Sequence, residues 1–255
     1  MPETPNVVTA VDGRIGWLTL NRPAAMNAIT VALAAELEAG LRRLAGEAAV
    51  IVIRGAGGHF SAGGDVGEVA RLRAEGAEAL AQLFDRFGDA LSAIAGLPVP
   101  VVAAVEGYAL AGGFELMQAC DLSIVADDAV LADTHLKYGQ IPGGGGSQRL
   151  PRLVGRQRAA AHILIGDRLS GAEAVDWGLA YRAVPAADLE PAARALAERL
   201  AARSPEALAR TKHLLWQGLE LPLAEGLALE RREVVAHIMS DAGAAAIAAF
   251  TGRKS

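Results

Sequence analysis

Residues 101–117, Val101-Val102-Ala103-Ala104-Val105-Glu106-Gly107-Tyr108-Ala109-Leu110-Ala111-Gly112-Gly113-Phe114-Glu115-Leu116-Met117, decide the fold. Five apolar residues without alternation predict a strand buried on both faces, as parallel sheets require. A glycine-rich turn follows, then an apolar helix start. The same order occurs upstream. Val50-Ile51-Val52-Ile53 predicts a buried strand, His59-Phe60-Ser61-Ala62-Gly63-Gly64-Asp65 a glycine turn, and the stretch near Ala77 to Ile94 a helix. Leu122 to Val125 predicts a further strand. Strands alternating with helices indicate an α/β fold with parallel pairing.

Towards the N-terminus, Val7 to Val11 and Ile15 to Leu20 predict a hairpin closed by Asp12-Gly13-Arg14. An Ala/Leu-rich helix follows, with Thr30 as its N-cap. After about Pro185 the pattern turns helical: Leu189 to Ala202, Pro205 to Gln217, Leu223 to Ile238 and Asp241 to Phe250, punctuated by Ser204-Pro205, Gly218 and Asp241. The chain therefore divides into an α/β part, residues 1–195, and a helical part, residues 196–255. No internal repeat is visible.

Composition narrows the function. In 255 residues, 52% are hydrophobic and 21% charged, too apolar for a disordered chain. Aromatics are only 4%, so much of the hydrophobic fraction is alanine. Against 29 acidic residues there are 24 Lys and Arg, a net charge of -5 that offers no general attraction to nucleic acid or anionic membrane. Cys120 stands alone and cannot form an internal disulfide, and the N-terminus lacks a signal pattern, so a cytoplasmic protein is expected. Apolar runs are too short to span a bilayer. No H-E-x-x-H or C-x-x-C suggests a metal site, and Gly143 to Ser147 fits neither G-x-G-x-x-G nor a P-loop. Ser61 and Ser147 lack a G-x-S-x-G elbow.

Four features carry candidate chemistry. The turns around Gly64 and Gly112 each lead from a strand towards a helix, where peptide N–H groups lack intrahelical partners. Two such turns on neighbouring strands can aim two N–H groups at one oxygen, an oxyanion hole. They can equally be ordinary strand-to-helix turns, with Asp65 a plain N-cap. Glu115 sits in an apolar first helical turn. There desolvation raises its pKa and suits acid/base work, or the carboxylate simply complements the helix dipole. Asp133 and His135 share a face of an extended segment, so the Asp can raise the His pKa or fix its tautomer. A loop histidine bonded to backbone is the alternative.

Taken together these segments resemble the crotonase superfamily, the enoyl-CoA hydratase/isomerase family. The resemblance runs through Leu20-Asn21-Arg22-Pro23-Ala24-Ala25-Met26-Asn27-Ala28, Phe60 to Asp65, Ala104 to Leu116, and Gly139 to Leu150. It implies a spiral of ββα units over residues 1–195 and a trimerising helical region over 196–255, in a homotrimer or dimer of trimers. It implies an acyl-CoA thioester as substrate, with coenzyme A entering only as part of it and no separate cofactor. The Gly64 and Gly112 amides would form the oxyanion hole. CoA would run past Ala24, Ala25, Met26 and Ala62, with Arg22 offered to phosphate. Asp65 and Gly143 would border the substrate, and Phe250 and Lys254 of a neighbouring subunit would help hold CoA. Family hydratases use two glutamates. Glu115 matches the first, while His135 stands where the second belongs. Hydration of a 2-enoyl-CoA is the leading expectation. Isomerisation or another lyase or hydrolase reaction through His135 is the alternative, and a non-catalytic acyl-CoA-binding member the third.

Overall fold

The computed structural model describes residues 4–252. In chain order the strands and α-helices are β1 (Val7–Asp12), β2 (Ile15–Leu20), α1 (Val31–Glu47), β3 (Val50–Gly55), α2 (Val66–Glu75), α3 (Ala77–Gly96), β4 (Val101–Val105), β5 (Tyr108–Leu110), α4 (Gly112–Ala119), β6 (Leu122–Ala126), β7 (Val130–Ala132), α5 (Gly146–Val154), α6 (Arg156–Ile165), α7 (Gly171–Asp176), β8 (Arg182–Val184), α8 (Leu189–Ala201), α9 (Pro205–Leu219), α10 (Leu223–Met239) and α11 (Asp241–Gly252).

Six strands form a mixed sheet in the order β1-β2-β3-β4-β6-β8. Only β1 and β2 are antiparallel, paired from Val7↔Leu20 to Asp12↔Ile15 around Gly13 at φ +60°. The others run parallel, with Ile51 opposite Val101 and Val102 opposite Leu122. β5 and β7 form a small parallel pair beside the main sheet. The α/β class read from the sequence is the one observed.

Strand alternation divides the core in two. Leu18, Leu20, Ile51, Ile53, Ala103 and Val105 face Leu33, Leu37 and Leu41 of α1, Leu91 and Ile94 of α3, and Phe114 of α4. Ile15, Trp17, Val50, Val52, Val102 and Ala104 face Leu189, Ala193, Leu196 and Ala197 of α8. The central strand β4 is buried along its whole length, and most of β2, β3 and β6 is buried too, which is why their sequences are mainly apolar with no strict alternation. A division at residues 195/196 falls inside α8, the helix that covers the second face.

α9 is fastened to the sheet by a polar cluster around the buried Lys212. Lys212 Nζ lies 2.7 Å from Asp121 Oδ2 and donates to the Val99 carbonyl over 2.9 Å, while Trp216 Nε1 donates to Asp121 Oδ1 over 2.7 Å. α10 buries none of its residues. No single described helix is long and apolar enough to cross a membrane.

The sequence expectations needed refinement. The helix near Ala77 is preceded by a separate one, α2, broken off at Gly76 with φ +119°. Helices α5 to α7 and strand β8 were not foreseen, because each is ten residues or shorter.

Candidate active site

The two glycine turns lie against each other. Leu110 N–H donates to the Ser61 carbonyl and Ser61 N–H to the Tyr108 carbonyl, each over 2.9 Å. A Cβ added to Gly63 would stand 2.8 Å from Leu110 O and 3.1 Å from Gly112 N, so only glycine allows this approach. Ile29 N–H bonds Gly63 O over 2.7 Å and Asp65 N–H bonds Ile29 O over 2.9 Å, which skips the Gly64 N–H between them. Gly112 opens α4, so its N–H has no intrahelical partner. Neither the Gly64 nor the Gly112 amide meets a protein acceptor among the described residues. Ala111 before it holds φ +46° and ψ −117°, a strained backbone for a residue with a side chain, costing on the order of 1–3 kcal/mol. Ser61 is buried, donates to Asn27 O over 2.9 Å and accepts from Gly63 N–H over 3.2 Å. It is a pin for the turn and not a nucleophile.

Both glycines line a cavity of about 360 Å³ together with Ala62, Ala111, Glu115 and His135. Val66, Val69, Leu83, Phe84, Phe87 and Ile141 make its apolar wall. The α2–α3 region thus supplies most of the apolar wall, while the described residues of α9 to α11 supply none.

Glu115 is 2% exposed. Its Oε1 accepts from Gly144 N–H over 2.9 Å and from Gly146 N–H over 2.8 Å, leaving Oε2 directed at His135. Burial pushes the carboxyl pKa up, and the Gly146 and Gly144 amides and His135 only partly offset it. Within the glycine run 143–146, Gly144 and Gly146 make room for this carboxylate. A Cβ at Gly144 would lie 2.6 Å from Glu115 Oε2, and one at Gly146 3.1 Å from Oε1. Arg149 of α5 fastens the run by donating to the Gly144 carbonyl.

His135 opens a 3-10 turn, His135–Tyr138. Its Nδ1 lies 2.8 Å from Asp133 Oδ1, and its Nε2 lies 4.0 Å from Glu115 Oε2. Burial works to lower the imidazole pKa, but the Asp133 hydrogen bond and charge, aided by Glu115, leave it raised. The cavity therefore holds a cation-prone imidazole facing a carboxylate, with two unpaired amides on the same wall.

The remaining sequence candidates divide. Ala62 and Gly143 line the cavity, and Gly143 packs against the Phe84 ring. Ala24 and Ala25 belong to a 3-10 turn, Pro23–Ala25, and Met26 follows it with φ +47°. The Met26 carbonyl accepts from Ala62 N–H over 2.9 Å, which sets this segment beside the cavity wall. Asn27 shapes it, accepting from Arg22 N–H over 2.9 Å and donating to Ala56 O and His59 O. Arg22 is already engaged: its guanidinium reaches the Ala28 carbonyl and Asp65 Oδ2, the latter at 2.9 Å. Asp65 also caps α2 by accepting from Glu68 N–H over 3.1 Å, so both residues brace the turn and neither lines the cavity. Phe250 lies on α11, away from the cavity wall. Lys254 lies outside the described residues. Among the described residues no group of His, Cys, Asp and Glu is arranged to hold a metal ion.

Sequence reasoning missed the Gly144 and Gly146 amides, Arg149 and the Phe84–Phe87 wall. The signal was present: a run of four glycines leading into a helix is more than a loop needs.

The sequence model for enoyl-CoA hydratase/isomerase matches residues 11–255. A protein described as "Probable enoyl-CoA hydratase" from Mycobacterium leprae is 38% identical over 250 residues, covering 96% of this chain and 95% of its own. Another so described, from Rhodobacter capsulatus, is 40% identical over 215 residues, covering 84% of this chain and 82% of its own. Among solved structures, an enoyl-CoA hydratase from Polaromonas sp. JS666 superposes with a TM-score of 0.93 at 33% identity, covering 97% of each chain. One from Bacillus anthracis gives 0.91 at 33% identity, covering 97% of this chain and 96% of its own. With the fold, the paired glycine turns and matches of this extent in agreement, the chain belongs to the enoyl-CoA hydratase/isomerase, or crotonase, family.

Proposed function

We propose that this protein hydrates a 2-enoyl-CoA to a 3-hydroxyacyl-CoA. One observation carries the reading: the Gly64 and Gly112 amides, Glu115 and His135 converge on one apolar-walled cavity. The family implies an acyl-CoA substrate. The thioester carbonyl would accept from both amides, which stabilise the oxygen best when it carries enolate charge. Glu115, ionised, takes a proton from water as its oxygen bonds to C3. His135, as imidazolium, gives its Nε2 proton to C2. The site is then left with a protonated Glu115 and a neutral His135. One proton moving across the 4.0 Å between Oε2 and Nε2 restores the starting state, so atoms and charge balance over the cycle.

The assay is loss of the enoyl-thioester absorbance. Crotonyl-CoA or a longer or branched enoyl-CoA should be hydrated. If all of these stay unhydrated, the proposal fails.

The Asp133–His135 hydrogen bond supports a second reading, in which His135 acts as a base in isomerisation or thioester hydrolysis. Mass analysis of products from enoyl-CoA and acyl-CoA panels separates these outcomes. CoA binding without turnover of any thioester would instead favour a binding role. We further propose a homotrimer or dimer of trimers, supported by the exposed apolar faces of α9 and α10.

A further inference from the structure

His135 does not stand alone behind the cavity. His162 of α6 is 1% exposed and lies between the rings of Phe114 and Trp177, with centroids at 5.3 and 5.8 Å. Asp133 N–H donates to His162 Nε2 over 3.2 Å. That nitrogen must carry a lone pair, so His162 is neutral with its proton on Nδ1. Burial also pulls its pKa down. Asp133, 1% exposed, then accepts at Oδ1 from the His135 main-chain N–H over 3.2 Å and faces the ring Nδ1 at 2.8 Å. Among the described residues, His135 is the one side-chain cation bonded to Asp133.

We propose that Asp133 is a positioning residue for the reaction, seated by His162, which fixes the His135 ring with Nδ1 anchored and Nε2 presented to Glu115 and the cavity. The inference rests on the hydration reading for its chemistry but not for its geometry. A carboxylate that bonds both the main-chain N–H and the ring Nδ1 of the same residue leaves the imidazole little freedom to turn Nε2 away. Its charge also favours the imidazolium that must act as proton donor. The charged groups around this set are few. Glu115 faces the ring from α4, Arg149 of α5 acts on Glu115, and Lys137 and Asp167 act on His162. An asparagine at position 133 would keep the shape and an acceptor while removing the charge. The proposal therefore separates from a purely structural role.

The test follows His135 by NMR in protein carrying 15N-labelled histidine, its signal assigned by its absence in His135→Gln. In Asp133→Asn the His135 titration midpoint should fall by about one pH unit or more. The alkaline limb of the kcat profile should fall with it, while KM for crotonyl-CoA stays within about threefold. A folded Asp133→Asn protein with an unchanged His135 midpoint would overturn the proposal. His162→Leu and His162→Gln form a second pair. Leu removes the acceptor for the Asp133 N–H and should lower the midpoint, and Gln, which can still accept, should recover most of it. If both leave the wild-type midpoint, the seating role is wrong. The titration needs no turnover. A raised midpoint in a protein that hydrates nothing sinks the reaction alone, and hydration with a midpoint indifferent to Asp133 sinks this inference alone.

Discussion

At the scale of single residues, the proposed hydration requires two protonation states to coexist. Glu115 must be ionised although burial raises its pKa, and His135 must be protonated, which Asp133 favours. The kcat/KM profile should be a bell. Its acid limb should lie above the ordinary glutamate value of 4.5 and its alkaline limb above the ordinary histidine value of 6.5. Because the two groups face each other, the limbs report the pair. The sign for stability follows. A histidine whose folded pKa is raised contributes fully below 6.5 and loses that contribution as pH rises through the folded value. His135→Gln should therefore flatten the fall of Tm over that range. Glu115→Gln keeps the size of the side chain and removes the base. It should lower kcat by about 100-fold or more, with acyl-CoA binding retained in a direct titration. A near-wild-type rate would clear Glu115 of the role. Restoring the family's second glutamate by His135→Glu is not expected to help. The new carboxylate would face buried Asp133 and Glu115, and like charges packed together cannot all ionise. His135→Glu alone should lose activity, and Asp133→Asn added to it should recover part. Higher activity in His135→Glu alone would contradict this account.

At the scale of elements, the loop leading into α5 decides the state of Glu115. Its amides hold one carboxylate oxygen, and its missing side chains leave room for the other. Gly144→Ala would put a Cβ 2.6 Å from both Glu115 Oε2 and the Phe87 ring. Activity should fall by at least 100-fold, on the scale of a lost general base, while the protein stays folded by circular dichroism. Wild-type kinetics in Gly144→Ala would show that the loop has no such duty. The clamp on α9 is a second element-scale device. Lys212→Met leaves the half-buried Asp121 without its cation, a change that should cost at most about 3 kcal/mol. Chemical denaturation should show the loss. Neither of these two contacts is visible from sequence, whereas other parts of the fold are. Strands β2 to β4, the helix capped by Thr30 and the glycine turns at 64 and 112 could be read directly, because burial on two faces and close backbone approach each restrict residue type. Glu115 and His135 could be named as candidates from their local setting. Nothing local pairs Gly144 with Glu115, Asp121 with Lys212 or His162 with Asp133. Those contacts join elements far apart in the chain, and polar residues on helices otherwise signify only exposure. Arg22 shows a contact that sequence does not announce. Its guanidinium, which the motif offers to phosphate, also binds Asp65 and the Ala28 carbonyl.

At the scale of the molecule, the chain presents more apolar surface along its C-terminal helices than one copy can use. Leu215 and Leu219 of α9 and Leu223, Leu227, Val235, Ile238 and Met239 of α10 are all exposed. A monomer rarely keeps a contiguous patch of this kind open to water. The low aromatic content fits the same picture, since surface buried between copies lessens what the interior of one chain must supply. If these faces close a homotrimer, the protein should sediment at three or six times the chain mass at micromolar concentration. An interface stable at that dilution needs roughly 1,000 Å² or more of buried surface. Leu219→Glu and Val235→Lys each place a charge on an exposed apolar position, so the subunit fold should survive while association weakens. Both variants should shift towards the monomer with little change in the circular dichroism of the α/β part. Acyl-CoA affinity reads a separate point. Phe250 and Lys254 are expected to reach the CoA of a neighbouring copy, so dissociation should raise KM more than it lowers kcat. A wild-type protein that sediments as a monomer would leave the exposed helices unexplained and would remove any role for a second copy at the site. Dissociated variants with unchanged KM would keep the assembly and remove only the shared CoA contact.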